Sequence, residues 1–324
     1  MTIDIIARVI FSIRLHTQKT SNNMVNAFSR LLTDASEFSP TGRFLRAINP
    51  FRYYKRISDE RSISFSHLKL TISIVDSQME AYIKGKISSK STAEKSWKSA
   101  SQGDILDLAL TDPEYGSEAS TSELVDQLKT FFFAGHDTTA STITWSYYFL
   151  SHTPSALARL RAELDDVFGV DTLPADVARQ LNADPKLHTK LEYTLSVIKE
   201  SLRLEPPAAP AREAPANYAF RTSTGATIAP PKGVMVYTSA WLLHHNPRVW
   251  GEDANEFRPE RFMPGSPIPW GYMPFSKRPR DCIGSTLAYL EAKIILALTA
   301  RQFDFEPSVK FYRVLKGTVL HFAQ

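Results

Sequence analysis

The run FSKRPRDCIG, residues 275–284, contains Cys282, the only cysteine in 324 residues. A thiol in this setting is a small buried apolar group, a reactive nucleophile or a metal ligand. A thiolate requires positive potential. Arg280, nearby backbone amides and the N-terminus of a following helix would all supply it. Gly284 permits close backbone approach to whatever the sulfur binds. One cysteine cannot assemble a zinc site with cysteine partners, but it suffices as the single protein ligand of a haem iron.

Three further stretches carry residues with chemical potential. In AGHDTT, Ala134 to Thr139, a glycine inside a helical pattern costs ~1 kcal/mol against alanine and the two threonines add to that. Such a glycine can open a helix so that a small ligand and a water sit against it. Asp137 and Thr138 then form an acid–hydroxyl pair suited to proton relay. The plainer alternative is a kink with surface threonines. In KESLR, Glu200 and Arg203 stand one helical turn apart, a spacing usually found in exposed ion pairs. In FRPERF, Phe257 to Phe262, the planar guanidinium of Arg261 suits completion of a carboxylate network with Glu200 and Arg203. The alternative there is a proline turn with exposed charges. His136-Asp137 and the pair His244-His245 superficially suit a metal-dependent hydrolase. On a helix, however, His136 points away from Asp137, and HHNP reads as a turn.

The elements that must position these residues are mostly helices. A proline-free segment from Glu123 to Leu150, entered through Ser120 and Glu123 at capping-box spacing, predicts one long helix. Ser155 to Phe168 predicts a second, ended by Gly169. A third runs from about Thr189 to Leu204 and stops at Pro206-Pro207. Residues 206–275 are proline-rich and hold short β-like pieces, GATIAP and GVMVYTSA. A last helix begins just after Cys282, with Leu287, Leu290, Ile294 and Leu298 on one face. The expectation is a single, mainly α domain: 1–205 helical, 206–275 a meandering β-containing part, and 276–324 the cysteine loop, last helix and C-terminal strands.

Composition narrows the partners. The net charge of +4 is mild, and much of the basic excess lies in KGKISSKSTAEKSWKS, beginning at Lys84, which reads as a solvated loop. Without interleaved aromatics it gives no reason to expect nucleic-acid binding. One cysteine excludes an internal disulfide, so a reducing, cytosol-facing location is the default. The opening MTIDIIARVIFSIRL is interrupted by Asp4, Arg8 and Arg14, and no stretch approaches the ~18 apolar residues of a spanning helix.

Together, the order and spacing of AGHDTT, ESLR, FRPERF and FSKRPRDCIG resemble the cytochrome P-450 family of haem-thiolate monooxygenases, especially its fungal members, from about Thr2 to Gly317. The resemblance implies a mainly α cytochrome P-450 fold with haem b between the long central helix and the helix after the cysteine. It implies Cys282 as the axial ligand of the iron and Glu200, Arg203 and Arg261 as a supporting triad. Arg280 and Arg212 would pair with the propionates, with Phe275 and Gly284 beside the cofactor. Thr138 and Asp137 would deliver protons to dioxygen, and Ala134 and Gly135 would line the oxygen groove. Phe131, Ala208 and Ala209 fall where substrate contacts are expected. Electrons would come from NADPH through a flavoprotein reductase docking on the cysteine side, where Lys277, Arg278 and Arg280 suit an acidic partner. The substrate would be a lipophilic small molecule of secondary metabolism.

The resemblance also implies departures. Arg278 stands where the family's cysteine loop usually has glycine. The first residues match a helix well inside the family fold, and the chain ends early, at GTVLHFAQ. The expectation is therefore a truncated, partial domain without the family's usual endoplasmic-reticulum anchor. A second reading is a non-catalytic remnant that binds haem weakly or not at all. Haem-thiolate isomerases and dehydratases that need no reductase are a further alternative, less favoured because the acid–threonine pair is present.

Overall fold

The computed structural model describes residues 2–17, 19, 25–26, 73, 75–88, 103–112, 121–222, 224–277 and 279–306. Ser120, Arg278 and the terminal GTVLHFAQ lie outside the described residues. The chain folds as two compact units, Met1–His136 and Asp137–Gln324, so the division falls inside its longest helix.

The first unit contains α1 (Thr2–Phe11), the helical stretch 75–88 (α2), α3 (Ile105–Thr111) and the first half of α4 (Thr121–His152). Ile3, Ile6, Ala7 and Ile10 form the buried stripe that makes α1 amphipathic. Val75, Met79 and Ile83 do the same for α2 at four-residue spacing. The Phe11 ring stacks on Tyr82 at 5.5 Å. Asp104 and Asp107 close a capping box on α3, and Lys86 bonds both carboxylates. The helix thus continues to residue 88, through the first residues of the run read above as a loop. Its buried Ile83, the Lys84–Glu80 pair and the anchored Lys86 hold that last turn. Residues 89–98 lie outside the described residues.

The opening of α4 at Gly135, one of the two alternatives weighed above, is not present: Thr121–His152 is one uninterrupted α-helix. The glycine instead serves packing. A Cβ at position 135 would stand 2.7 Å from Ile6 Cγ1, so only a bare backbone lets α1 lie this close.

The second unit contains the rest of α4, α5 (Pro154–Phe168), α6 (Pro174–Ala183), α7 (Glu192–Leu204), two short helices α8 (Ala240–His244) and α9 (Pro247–Trp250), and α10 (Ser285–Thr299). Its core joins Leu160, Leu164 and Phe168 of α5, Val197, Ile198 and Leu202 of α7, and Ala292, Leu296 and Ala297 of α10. The predicted third helix divides: a 3-10 turn over Pro185–Lys190 precedes α7. The break follows from a carboxylate of α5. Glu163 accepts the amides of Tyr193 at 2.5 Å and Thr194 at 2.9 Å, capping α7 from outside. Between α7 and α10 lie two antiparallel ribbons. β1 (Ala211–Glu213) pairs with β4 (Met235–Tyr237), and β2 (Phe220–Arg221) with β3 (Thr227–Ile228).

Candidate functional site

The site is built on α7, which is buried almost all round from Tyr193 to Leu204. A helix in that position must satisfy its charged residues internally. Glu200 and Arg203, both with fully buried side chains, form a bidentate pair at 2.7 and 2.8 Å. The remaining donors of Arg203 reach the carbonyls of His244, Ala254 and Glu256, and its guanidinium lies 4.9 Å from the centre of the Trp250 ring. Glu200 also accepts the amide of Arg258 at 2.9 Å. Arg261 approaches Glu200 within 3.4 Å as an ion pair. Its stronger bonds go to Asp253, whose carboxyl it holds below the usual range, and to the carbonyl of Trp250. Burial excludes the solvated-pair alternative for Glu200 and Arg203, whereas FRPERF is a proline-started turn whose Arg258 and Glu260 are exposed and whose Arg261 side chain is buried.

From this network the chain runs into the cysteine loop. The Cys282 amide donates to the Phe275 carbonyl at 2.9 Å, closing the loop, and Ser276 takes φ +64° to make the turn. The Phe275 ring meets Tyr289 of α10 edge-on at 5.0 Å. Cys282 is exposed, and a Cβ at Gly284 would sit 3.8 Å from its sulfur, so the two face each other.

Cys282 opens onto a cleft of about 230 Å³. Thr138, Thr139 and Thr142 of α4 form one side and Ile198 and Leu202 of α7 another. Pro207 to Pro210, Arg212, Phe275, Arg280, Ala288 and Tyr289 complete the lining. The walls are largely apolar and carry two guanidiniums and one thiol. That donor set fits a flat, mostly apolar, dianionic porphyrin with a thiolate-loving metal at its centre.

Of the residues read from the sequence, Cys282, Arg280, Arg212, Phe275, Thr138, Ala208 and Ala209 share this cleft. Asp137 does not: it is exposed and outside the lining, because adjacent residues of an uninterrupted helix point about 100° apart. Phe131, Ala134 and Gly135 belong to the first unit. Lys277 lies 4.5 Å from the centre of the Trp270 ring and bonds the Trp270 carbonyl. Thr139, Thr142 and Tyr289 were not singled out from the sequence. Thr142 could have been, since it stands four residues beyond Thr138 and so on the same face. Burial pushes the Tyr289 hydroxyl up to about 12, and its oxygen lies 3.3 Å from that of Tyr272.

The histidines behave otherwise than a hydrolase requires. Thr2 Oγ1 lies 2.5 Å from His136 Nδ1, and His244 has both ring nitrogens in hydrogen bonds. Among the described residues, no three His, Cys, Asp or Glu side chains are grouped to hold a metal ion, and no helix is long and apolar enough to cross a membrane.

A mainly α chain with a buried Glu-x-x-Arg pair and a single cysteine that opens onto a largely apolar cleft points to the haem-thiolate class. The chain belongs to the cytochrome P-450 family, whose model matches residues 1–320. It is 31% identical over 341 residues to a cytochrome P-450 monooxygenase of Aspergillus aculeatus, covering 97% of this chain and 63% of that one. A cytokinin hydroxylase of Arabidopsis thaliana is 33% identical over 316 residues, covering 96% of this chain and 56% of that one. The crystal structure of another cytochrome P-450 superposes with a TM-score of 0.70 at 28% identity, covering 95% of this chain and 64% of its own. The fold is thus a cytochrome P-450 fold in part, and the chain spans under two thirds of the length of these relatives.

Proposed function

We propose that this chain carries the haem-binding core of a monooxygenase that inserts one atom of dioxygen into a lipophilic small molecule, in secondary metabolism. The observation that carries the reading is the shared cleft of Cys282, Arg212, Arg280 and Thr138. Haem b would be held by the Cys282 thiolate and by charge-assisted bonds from Arg212 and Arg280, with Phe275 and Gly284 beside it. When bound, the haem supplies the activation of dioxygen for attack on an unactivated C–H bond.

The chain's own residues do the rest. Arg280 and the N-terminus of α10 stabilise the anionic sulfur. The Thr138 hydroxyl is assigned the last proton-bearing position on the cleft wall. Asp137, at the surface, is assigned the exchange of that proton with solvent. Ala208 and Ala209 offer small apolar contacts to substrate, and the apolar walls exclude water from it. Phe131, Ala134 and Gly135, on the preceding turns of α4, keep the substrate and oxygen-groove roles that the family resemblance gives them. Glu200, Arg203 and Arg261 support the cysteine loop. Electrons come from NADPH through a flavoprotein reductase on the cytosolic side of the endoplasmic reticulum membrane. The division of the chain at 205 and 275 into helical, meandering and cysteine-loop parts of one partial domain belongs to the same reading.

The test is turnover under ¹⁸O-labelled dioxygen with reductase, NADPH and a panel of lipophilic substrates. One labelled atom in the product is expected. Thr138→Ala should lower product formation by about 100-fold or more while NADPH is still consumed. Product unlabelled by dioxygen, or formed without NADPH, would assign a haem-thiolate isomerase or dehydratase instead. A purified chain without haem would assign the non-catalytic remnant.

A further inference from the structure

We infer that His244 is a positioning residue that sets the cysteine loop for thiolate ligation through its hydrogen bond to the Met273 amide. The inference rests on the haem-thiolate reading above.

His244 ends α8 and is fully buried. It is clamped to α7 twice. Its carbonyl accepts from Arg203 Nη1 at 2.8 Å, and its ring Nδ1–H donates to the Arg203 carbonyl at 2.9 Å. Only Nε2 is then left, and it accepts the Met273 amide at 3.0 Å. A carbonyl on one side and an N–H on the other fix both the tautomer and the neutral state. Burial reinforces this, pushing the imidazole down to about 4. The ring stacks on Tyr272, with centroids 5.6 Å apart and planes at 26°, which fixes its orientation.

Met273 begins the cysteine loop. Its carbonyl accepts the amide of Ser276, the residue at positive φ, at 3.1 Å. One residue before Ser276, Phe275 accepts the Cys282 amide. A continuous line of directed bonds therefore runs from the Glu200–Arg203 pair through one imidazole to the turn that presents the sulfur. His244 is the only side chain in that line between the ion pair and the loop backbone. It touches no reacting atom, so its effect is on where Cys282 stands.

Two substitutions separate the bonds. His244→Gln places an amide oxygen near the position of Nε2 and keeps the acceptor for Met273. His244→Asn places an amide near the position of Nδ1, keeps the bond to Arg203 and leaves the Met273 amide unpaired. The readouts are the reduced, carbon-monoxide-bound Soret spectrum of the haem-loaded chain and backbone hydrogen exchange across residues 270–284. In His244→Asn most of the thiolate band should convert to the blue-shifted band of a protonated or detached thiol. Loop exchange should quicken about tenfold or more, while α5 and α10 keep native protection. His244→Gln should stay within about twofold of native on both readouts. Equal behaviour of the two variants, no change in His244→Asn, or loss of protection throughout the second unit would overturn the inference and leave His244 a packing residue. If the native chain shows no thiolate band, the haem reading fails. The exchange contrast between the variants then still decides whether His244 orders the loop.

Discussion

Glu200 and Arg203 have no access to solvent, and every oxygen and nitrogen of the pair is directed at a partner. Removing one member strands the other as an unpaired buried charge, which costs about 3–5 kcal/mol. Arg203→Leu should lower unfolding stability by that amount in urea titration, and a loss under about 1 kcal/mol would contradict the buried-pair description. Glu291 of α10 poses the opposite problem. It is 4% exposed, its Oε1 has no hydrogen-bond partner, and burial pushes its carboxyl up to about 7 from an ordinary 4.5. A folded-state value above the unfolded one means that the favourable, protonated form is held at low pH. This contribution is complete below about 4.5 and is lost as pH rises through 7. Stability measured between pH 4.5 and 8 should therefore fall by about 3 kcal/mol from this group. Glu291→Gln should remove that slope, leaving the variant the more stable protein at pH 8.

At the scale of elements, two helices owe their placement to contacts that no local pattern announces. The first turn of α7 is capped by Glu163 from α5 through the Tyr193 and Thr194 amides and the Thr194 hydroxyl. Glu163→Ala removes the acceptor of three donors and takes a carboxylate from a helix N-terminus, a cost of about 2 kcal/mol. The variant should melt earlier with an unchanged haem spectrum, since the cap lies outside the cleft lining. α4 presents the second case. Propensity alone predicts that Gly135→Ala stabilises the helix by ~1 kcal/mol. The closeness of Ile6 predicts a loss of about 1–3 kcal/mol from overpacking instead. Ile6→Val, which removes the terminal methyl, should recover part of that loss. A double-mutant cycle measures the coupling, and a value near zero would contradict the α1–α4 contact.

For the whole molecule, periodicity and breakers gave the helices around α4, α5, α7 and α10 to within a few residues. Of the cleft residues, Cys282, Arg280 and Thr138 were legible in the motifs themselves, and Arg212 only through the family resemblance that the motifs carry. The rest was not, for a physical reason common to each instance. Gly135 read as an opening because its partner, Ile6, lies over a hundred residues away. His244 read as a turn residue because both of its ring partners, Arg203 and Met273, come from other segments. Asp137 and Thr138 are neighbours in the sequence, yet only Thr138 lines the cleft, because adjacent side chains of an α-helix point about 100° apart. A single thiol at the cleft is what joins fold, cofactor and chemistry, so one measurement tests the account most directly. It is the carbon-monoxide difference spectrum of the dithionite-reduced chain, produced with added haem precursor, beside Cys282→Ser. The native chain should show the red-shifted Soret band of thiolate-bound haem, and the variant should lose it. A native chain with no haem band, or a band identical in the two proteins, would contradict the account.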